Sequence, residues 1–353
     1  MKKLAALFLS ALIILSLVAC SGGSADTKES EELEIAFVWN LYADVYQAGF
    51  RTMMDEEAEK LGGISLNHQD GENDVGKFSN KLDTLISSGY TWIGMVATDR
   101  QATEVYMEKL KANDLPIFFV NLEPLPEVMA AYDNAWYVGS PASESGEMSS
   151  QVLCDYWLAD TAKADKNGDG ILQLVILTGP PGHNDAILRT QAYRDTLEKN
   201  GIEYEVVKED TAMWDTPTAA DKMSAYITEL GEQGIEGVLC NNDAMAMGVL
   251  SACKLNGWNQ EGSDVFIPIC GIDANTEALE ALKAGELLGT CLNDRRGKSL
   301  AFLNLVIAMS EGKTEITADD IKVDGATVDG RYIWIPYVSV SAANVEEVMK
   351  DAR

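Results

Sequence analysis

The sequence is poor in positive charge. Its 353 residues include 27 lysines and arginines against 56 aspartates and glutamates, which gives a formal net charge of −29 at pH 7. Such a surface repels nucleic-acid phosphates and anionic lipid, because both carry charge of the same sign. The composition therefore argues against nucleic-acid binding. The chain also lacks internal repeats and low-complexity tracts in its folded part, which argues against a repeat architecture.

One of the six cysteines, Cys20, stands apart from the others, because it follows the segment Leu17-Val18-Ala19 at the end of the apolar N-terminal run. The other five are Cys154, Cys240, Cys253, Cys270 and Cys291. An odd number cannot pair completely, and at least two of these residues lie in apolar runs typical of buried thiols. We expect no structural disulfide framework.

Residues 1–19 have the pattern of a secretory signal peptide, with Lys2 and Lys3 followed by an apolar run up to Val18. The run is too short for a membrane span and is followed at once by the polar residues 21–32. Its end, Leu-Val-Ala-Cys20, resembles the lipobox of bacterial lipoproteins, in which the cysteine is lipidated. The sequence therefore predicts an exported protein, with residues 20–32 as lipidated cysteine and flexible linker, anchored at the outer face of the cytoplasmic membrane.

From residue 33 onward, strand and helix patterns alternate. Apolar runs predict strands over 34–40, 64–68, 92–97, 116–120, 135–139, 171–178, 203–208, 236–241, 265–271 and 287–291. Helical patterns lie between them, for example over 44–61 and 142–160. The alternation restarts after residue 160, which predicts two α/β lobes with parallel sheets.

Polar side chains follow several of these strands, where open α/β sheets bind ligands. They are Asn40, Asn121, Asn242, Asp273 and Asn293, with Asp44 and Tyr46 at the first turn and Trp214 after a later strand. Each asparagine alone could be a helix cap or turn residue. Their recurrence at the same end of successive strands favours a shared site.

Residues 165–173 resemble the first half of an EF-hand calcium loop. Asp165, Asn167 and Asp169 alternate and Gly170 follows, so oxygen ligands stand at every second position. The Ile171 carbonyl and Gln173 take positions seven and nine. Position twelve is an isoleucine where a glutamate is required, so the last carboxylate would come from elsewhere in the chain. The alternative is a solvated acidic turn.

The next loop and helix carry a polar trio. Residues 179–182 break regular structure, and His183, Asp185 and Arg189 then begin a helix. Asp185 and Arg189 lie on one face, because they are four residues apart. A carboxylate that accepts, a guanidinium that donates and an imidazole that can do either suit a neutral ligand covered with hydroxyls.

With these stretches, the chain resembles the bacterial glucose/galactose-binding proteins, which are type I periplasmic binding proteins. The matching segments, from about Glu34 onward, are DNAWYVG (133–139), GPPGHNDAILR (179–189), DTAMWDT (210–216), NNDAMAMG (241–248), GID (271–273), EAL (277–279) and GTCLND (289–294). The resemblance implies two Rossmann-like lobes, 33–140 with 296–331 and 141–295 with 332–353, joined by a three-crossover hinge.

The resemblance also implies a function. A monomeric chain would bind a hexose, D-glucose or D-galactose, between its lobes and deliver it to an ABC transporter permease. The implied sugar contacts are Asp44, Tyr46, Asn121, His183, Asp185, Arg189, Trp214, Asn242, Asp273 and Asn293. Tyr46 stands where the family commonly has phenylalanine, and its ring would stack on the sugar together with Trp214. Residues 256–263 look longer than the family's usual loop.

For the metal loop, the resemblance implies a structural calcium ion. The family's last ligand is a remote glutamate, which corresponds to Glu236. The implied ligands are Asp165, Asn167, Asp169, Ile171, Gln173 and Glu236.

Four alternatives compete with delivery of a hexose. A glycosidase would use Asp44 with Asp185 or Asp273, but it needs one carboxylate with a raised pKa, and pairing with Arg189 favours the ionised form of Asp185. A repressor of the same fold needs a basic headpiece, and this chain has an acidic linker there. A sensor that presents sugar to a chemoreceptor or kinase, or a binder of a related pentose, remains compatible with the sequence.

Overall fold

The computed structural model describes residues 32–351, without the side chain of Asp351. The predicted signal peptide, Cys20 and the linker up to residue 31 lie outside the described residues. Among residues 32–351, no helix has both the length and the apolar character needed to cross a membrane.

Strands and helices alternate along the chain. The first part contains β1 (Leu33–Trp39), α1 (Val45–Leu61), β2 (Ile64–Asp70), α2 (Val75–Ser87), β3 (Trp92–Met95), α3 (Ala102–Lys111), β4 (Ile117–Val120), α4 (Pro126–Ala131) and β5 (Ala135–Gly139). The second contains α5 (Ala142–Ala159), α6 (Thr161–Ala164), β6 (Leu172–Thr178), α7 (Asn184–Lys199), β7 (Tyr204–Thr211), α8 (Thr216–Leu230), β8 (Gly237–Cys240), α9 (Asp243–Leu255), β9 (Ile269–Cys270), α10 (Thr276–Lys283) and β10 (Gly289–Leu292). The last contains α11 (Arg295–Ser310), α12 (Ala318–Ile321), β11 (Thr327–Asp329), β12 (Tyr332–Trp334), β13 (Val338–Ser341) and α13 (Val345–Asp351).

The strands form two sheets, one in each lobe. The first has the order β11-β12-β5-β4-β3-β1-β2, and the second has the order β13-β10-β9-β8-β6-β7. Pairing is parallel except for β11 with β12 and β10 with β13. The prediction of two α/β lobes with mostly parallel sheets is confirmed.

The central strands of each sheet are buried on both faces, which is why they read as apolar runs, whereas the edge strands β2 and β7 are partly exposed and more polar. In β1, Phe37 and Trp39 pack on one side with Phe302 of α11, whereas Ala36 and Val38 pack on the other with Phe78 of α2. This alternation follows from the two-residue period of a strand. Covered on both faces, a parallel sheet leaves only its strand ends open for a site.

The predicted strand over 265–271 is regular only at Ile269–Cys270. Pro268 has no N–H to donate to the ladder, and Ile267 pairs with a side chain instead. Asn259 Nδ2 donates to the Ile267 carbonyl at 2.7 Å, and the Ile267 N–H donates to Asn259 Oδ1 at 2.8 Å. The long loop 256–263 therefore contributes a buried amide that takes the place of a strand partner.

Three chain crossovers connect the lobes, after β5, after β10 and after β12. The third lies later than predicted: residues 332–334, assigned from the sequence to the second lobe, pair with β5 in the first-lobe sheet. Antiparallel pairing with β11 holds this segment in the first lobe, and β13 is the first element after it to join the second sheet.

The five described cysteines are buried free thiols.

Candidate functional site

A cavity of about 720 Å³ lies between the lobes, at the carboxyl ends of the strands. Three of the ten predicted sugar contacts line it from the first lobe: Asp44, Tyr46 and Asn121. Seven line it from the second-lobe segment: His183, Asp185, Arg189, Trp214, Asn242, Asp273 and Asn293. The structure therefore brings all ten together at the walls of one cavity.

Two of these residues also have the local role that the sequence left open as an alternative. Asp44 caps α1, because its Oδ1 accepts from the Gln47 N–H at 2.8 Å. Asn242 caps α9, because its Oδ1 accepts from the Met245 N–H at 3.0 Å. Capping uses one oxygen in each case, so Asp44 Oδ2 is left for other partners, whereas Asn242 Nδ2 donates to the Trp214 carbonyl at 3.5 Å.

Unusual backbone geometry aims three site residues at the cavity. Asn121, Trp214 and Asp273 have φ values of 67°, 65° and 128°, although only glycine adopts positive φ without cost. Such outliers cluster at ligand sites. Beside Trp214, a Cβ at Gly179 would lie 2.1 Å from Trp214 Cζ2, so only glycine lets the loop pass this ring.

At the start of α7, the local hydrogen bonds fix which atoms remain for a ligand. His183 Nδ1 accepts from the Asp185 N–H at 3.2 Å, and burial lowers the pKa of His183. The ring is therefore neutral near pH 7 with its proton on Nε2, which makes Nε2 a donor. The His183 ring also lies edge-on to Trp214, with centroids 5.2 Å apart.

Arg189 is a buried hub of the second lobe. Its guanidinium donates to Ser145 Oγ at 3.1 Å, to the Asn241 carbonyl at 2.9 Å, to Tyr337 Oη at 3.0 Å and to Asp185 Oδ2 at 3.3 Å. Four of its five N–H groups are therefore used by the protein. Within residues 32–351, Asp185 Oδ1 has no hydrogen-bond partner, so the carboxylate has one oxygen available to a ligand.

Burial raises the pKa of two carboxyl groups at this end of the second lobe. Asp273, which lines the cavity, has its pKa raised to about 6, and Asp243, behind it, has its pKa raised to about 7. Asp243 accepts from Thr290 Oγ1 at 2.7 Å and from the Asn275 N–H at 2.8 Å, which anchors the turn after Asp273. Asp273 itself accepts from Asn293 Nδ2 at 3.1 Å.

Sequence reasoning missed Lys298, in the first turns of α11. Its side chain is only 1% exposed, and its Nζ donates to Asn121 Oδ1 at 3.0 Å, to Tyr46 Oη at 3.3 Å and to Asn293 Oδ1. A lysine just inside a helix reads as a solvated residue, and only its position five residues after Asn293 could have drawn attention to it.

The lobes also meet across the mouth of the cavity. Arg100 Nη1, from the first lobe, donates to Asn184 Oδ1 at 3.2 Å, and Asn184 Nδ2 donates to Glu123 Oε2 at 3.2 Å. Arg100 and Glu123 are also 3.9 Å apart at their charged atoms. This Arg100–Asn184–Glu123 bridge joins the lobes through side chains, so separation of the lobes at this point would break it.

The predicted calcium ligands lie together away from this cavity. Glu236, fully buried, reaches the loop: its Oε1 accepts from the Lys166 N–H at 2.5 Å and its Oε2 from the Gln173 N–H at 3.1 Å. Asp165 accepts from the N–H groups of Gly168 and Gly170 at 2.7 and 2.9 Å. The backbone N–H groups of the loop therefore point at the Asp165 and Glu236 carboxylates.

The side chains of the loop only partly fit a cation. Asn167 Nδ2 and Gln173 Nε2 both donate to Asp169 Oδ2, at 3.0 and 3.1 Å, so nitrogens face the carboxylate here. A half-turn of either amide exchanges nitrogen for oxygen and would present the oxygen ligands that calcium prefers. Among the described residues, no three His, Cys, Asp or Glu side chains converge as a metal-binding group.

Comparison with known proteins places the fold and the chain in context. The family described as "Periplasmic binding protein domain" matches residues 35–314. The D-galactose/methyl-galactoside-binding periplasmic protein of Haemophilus influenzae is 34% identical over 330 residues, which cover 93% of this chain and 95% of that protein. A xylitol-binding protein of Mycolicibacterium smegmatis is 27% identical, with coverage of 92% and 83%.

A solved structure supports the architecture independently. The chain superposes on a solute-binding protein from Bacillus halodurans, solved with bound myo-inositol, with a TM-score of 0.73. The two share 23% identity, and the match covers 92% of this chain and 99% of the other. At this identity the likeness concerns the fold, and it confirms the predicted two-lobe architecture.

Proposed function

Because the chain belongs to the family of periplasmic binding proteins, we propose that it is an exported sugar-binding protein that takes up a monomeric hexose, D-glucose or D-galactose, between its lobes. The family binds solutes and catalyses no reaction, so the glycosidase alternative is excluded. The hexose assignment is supported by the relative at 34% identity, whose name specifies D-galactose and methyl-galactoside.

One observation carries the proposal: the cavity wall combines hydrogen-bond donors and acceptors with two aromatic rings, Tyr46 from one lobe and Trp214 from the other. Within residues 32–351, Asp44, Asp185 and Asp273 each have one carboxylate oxygen without a hydrogen-bond partner. These oxygens can accept from hydroxyls, while His183 Nε2 and Asn121 Nδ2 can donate. Such a wall suits a small neutral ligand with a polar rim and apolar faces.

The arrangement of the lobes supports reversible capture by closure. Asp44, Tyr46 and Asn121 come from one lobe and the other contacts come from the second, so neither lobe alone completes the site. Closure around three crossovers would surround the sugar with both sets. The closed form would then be recognised by an ABC transporter permease, and a sensor protein remains the alternative partner.

Calorimetric titration of the purified mature protein with D-glucose, D-galactose, D-ribose, D-xylose and L-arabinose tests the proposal. We expect saturable one-site binding of at least one hexose, tighter than that of every pentose. Tight binding of a pentose with no heat from either hexose would overturn the hexose assignment. A protein that binds none of these sugars would overturn the proposal as a whole.

We further propose a structural calcium ion at the loop 165–173, held by Asp165, Asn167, Asp169, the Ile171 carbonyl, Gln173 and Glu236. The support is that the buried Glu236 carboxylate reaches the loop from a distant part of the chain. A ligand that binds only the native state raises its stability, so chelation should lower the melting temperature, and added calcium should restore it. Glu236→Gln should melt at the same temperature with and without calcium. A wild-type melting curve that ignores chelator would refute the site.

Lipid attachment at Cys20 is likewise a proposal, supported by the Leu-Val-Ala-Cys20 motif. Acyl chains on this cysteine would hold the mature protein at the membrane, so Cys20→Ala should release it into the soluble fraction. Membrane fractionation of the two proteins makes the comparison, and an equal membrane-bound share would contradict the proposal.

A further inference from the structure

We propose that Lys298 is a positioning residue for sugar selectivity, which fixes the donor and acceptor directions of the amides at one end of the cavity. This end then takes a sugar hydroxyl that accepts a hydrogen bond from Asn121 and donates one to Asp273. The inference rests on the proposed function, because it concerns how the same cavity selects its sugar. Lys298 itself is buried behind the cavity wall and is not among the residues that line it.

The contacts of Lys298 join both lobes. Its Nζ binds Asn121 Oδ1 and Tyr46 Oη, which belong to the first lobe, and Asn293 Oδ1, at the end of β10 in the second. Because both amides bind the same nitrogen, their oxygens lie next to each other. Lys298 therefore connects three cavity residues, and the two amides are the ones whose orientation it decides.

An ammonium group has three donors and no acceptor, so each amide can meet it only with its oxygen. Asn121 must then turn its Nδ2 away from Lys298, and this nitrogen has no hydrogen-bond partner within residues 32–351. Asn121 lines the cavity, so it offers the ligand a donor. A free asparagine could turn over and offer an acceptor instead, and Lys298 removes that choice.

Lys298 also orients the Asn293 amide, which in turn positions Asp273. Its oxygen accepts from Lys298, and its Nδ2 donates to Asp273 Oδ1 at 3.1 Å. Asp273 is thereby held with its second oxygen unpaired among the described residues. This end of the cavity therefore presents one fixed donor, Asn121 Nδ2, and one fixed acceptor, the Asp273 carboxylate.

A hydroxyl group is the complement of this pair, because it can accept and donate at once. A deoxy sugar offers neither, and a fluorine in place of the hydroxyl cannot donate to Asp273. Burial lowers the pKa of Lys298 to about 7. The orientation of the two amides is the same for a neutral amine, because its two N–H groups still serve the two amide oxygens, while the Tyr46 hydroxyl donates to the Asn293 carbonyl at 3.4 Å.

The first test is Asn121→Asp, which keeps the size of the side chain and gives Lys298 a carboxylate to bind, so folding should be preserved. The aspartate side chain has no N–H to donate to the sugar. D-galactose binding should therefore weaken by about 10- to 100-fold, the cost of a lost hydrogen bond in a dry site. Unchanged affinity by calorimetry would mean that Asn121 acts through its oxygen, and the inference would be wrong.

The second test measures selectivity with Lys298→Met, which keeps an extended apolar stem and removes the donors. The probes are the monodeoxy and monofluoro derivatives of D-galactose. In the wild type, one hydroxyl position should show a deoxy penalty of about 10-fold or more, and in Lys298→Met that penalty should fall to a few-fold at that position alone. A purely structural role would instead lower all affinities by the same factor, which would overturn the inference.

Ser299→Ala is the matched control, because Ser299 is the next buried residue of α11 and its Oγ binds only the Arg295 carbonyl, at 2.8 Å. It should leave the deoxy-sugar pattern unchanged. The wild-type measurement separates the proposed function from the role of Lys298. Wild-type protein that binds no hexose overturns the proposed function and the inference with it, whereas wild-type binding with an unaltered pattern in Lys298→Met overturns the inference alone.

Discussion

Replacing Asp185 by asparagine is the perturbation whose size the structure defines best. The side chain keeps its shape but loses its charge, in a position that is 8% exposed and hydrogen-bonded to Arg189. The removal of one partner from a buried charged pair typically costs ~2–5 kcal/mol in binding. The neighbouring guanidinium decides where in this range the variant falls.

Arg189 keeps hydrogen-bond partners when Asp185 loses its charge. It keeps three acceptors, which are Ser145 Oγ, the Asn241 carbonyl and Tyr337 Oη. The loss is therefore dominated by the missing charged acceptor for a sugar hydroxyl, worth about 2–3 kcal/mol, or about 30- to 150-fold in Kd.

Calorimetric titration with D-galactose measures the effect on Asp185→Asn. Asp195→Asn is the control, because Asp195 lies on the exposed side of the same helix and its carboxylate accepts only from Gln191, at 2.7 Å. The control should bind like the wild type. A loss of less than about threefold for Asp185→Asn would refute the role of this carboxylate as a ligand contact, since a buried charged acceptor should be worth more.

Three further results are expected. Gly179→Ala should weaken hexose binding, because its Cβ would lie 2.1 Å from the Trp214 ring and displace it; titration showing wild-type affinity would contradict the stacking role. Asn184→Ala should speed up sugar dissociation in stopped-flow measurements, because it removes the hydrogen bond from Arg100 across the cavity mouth, and an unchanged rate would exclude a closing role for this bridge. Affinity for D-galactose should be retained above pH 6 and fall below it, by up to about tenfold per pH unit if only the ionised form binds, because burial raises the pKa of Asp273 to about 6 and protonation turns its free oxygen from an acceptor into a hydroxyl donor; constant affinity from pH 5 to 8 would contradict this.

The sequence predicts the fold well because both sheets are covered by helices. In the run 171–178 every residue except Gln173 and Thr178 is aliphatic, and the boundaries of the run follow from the polar turns on either side. Short strands are harder to assign to a sheet from the sequence. Residues 332–334 form a three-residue strand with no signal for which sheet they join, so the boundary between the lobes was predicted too early.

The candidate site was predictable where a residue follows an apolar strand. Asn121, Asn242 and Asp273 were found in this way, and parallel strands bring such positions to one edge. Lys298 and the Arg100–Asn184–Glu123 bridge were missed, because a charged residue inside a helix or loop has the same local pattern whether it is buried or solvated. Their roles depend on contacts between distant segments, which no local pattern encodes.

A crystal structure of the mature protein with D-galactose tests the central claim most directly. We expect one sugar molecule in the cavity between the lobes, with its ring between Tyr46 and Trp214 and its hydroxyls bonded to Asp185 and Asp273. Sugar density outside this cavity, or in the cavity without contact to either carboxylate, would contradict it.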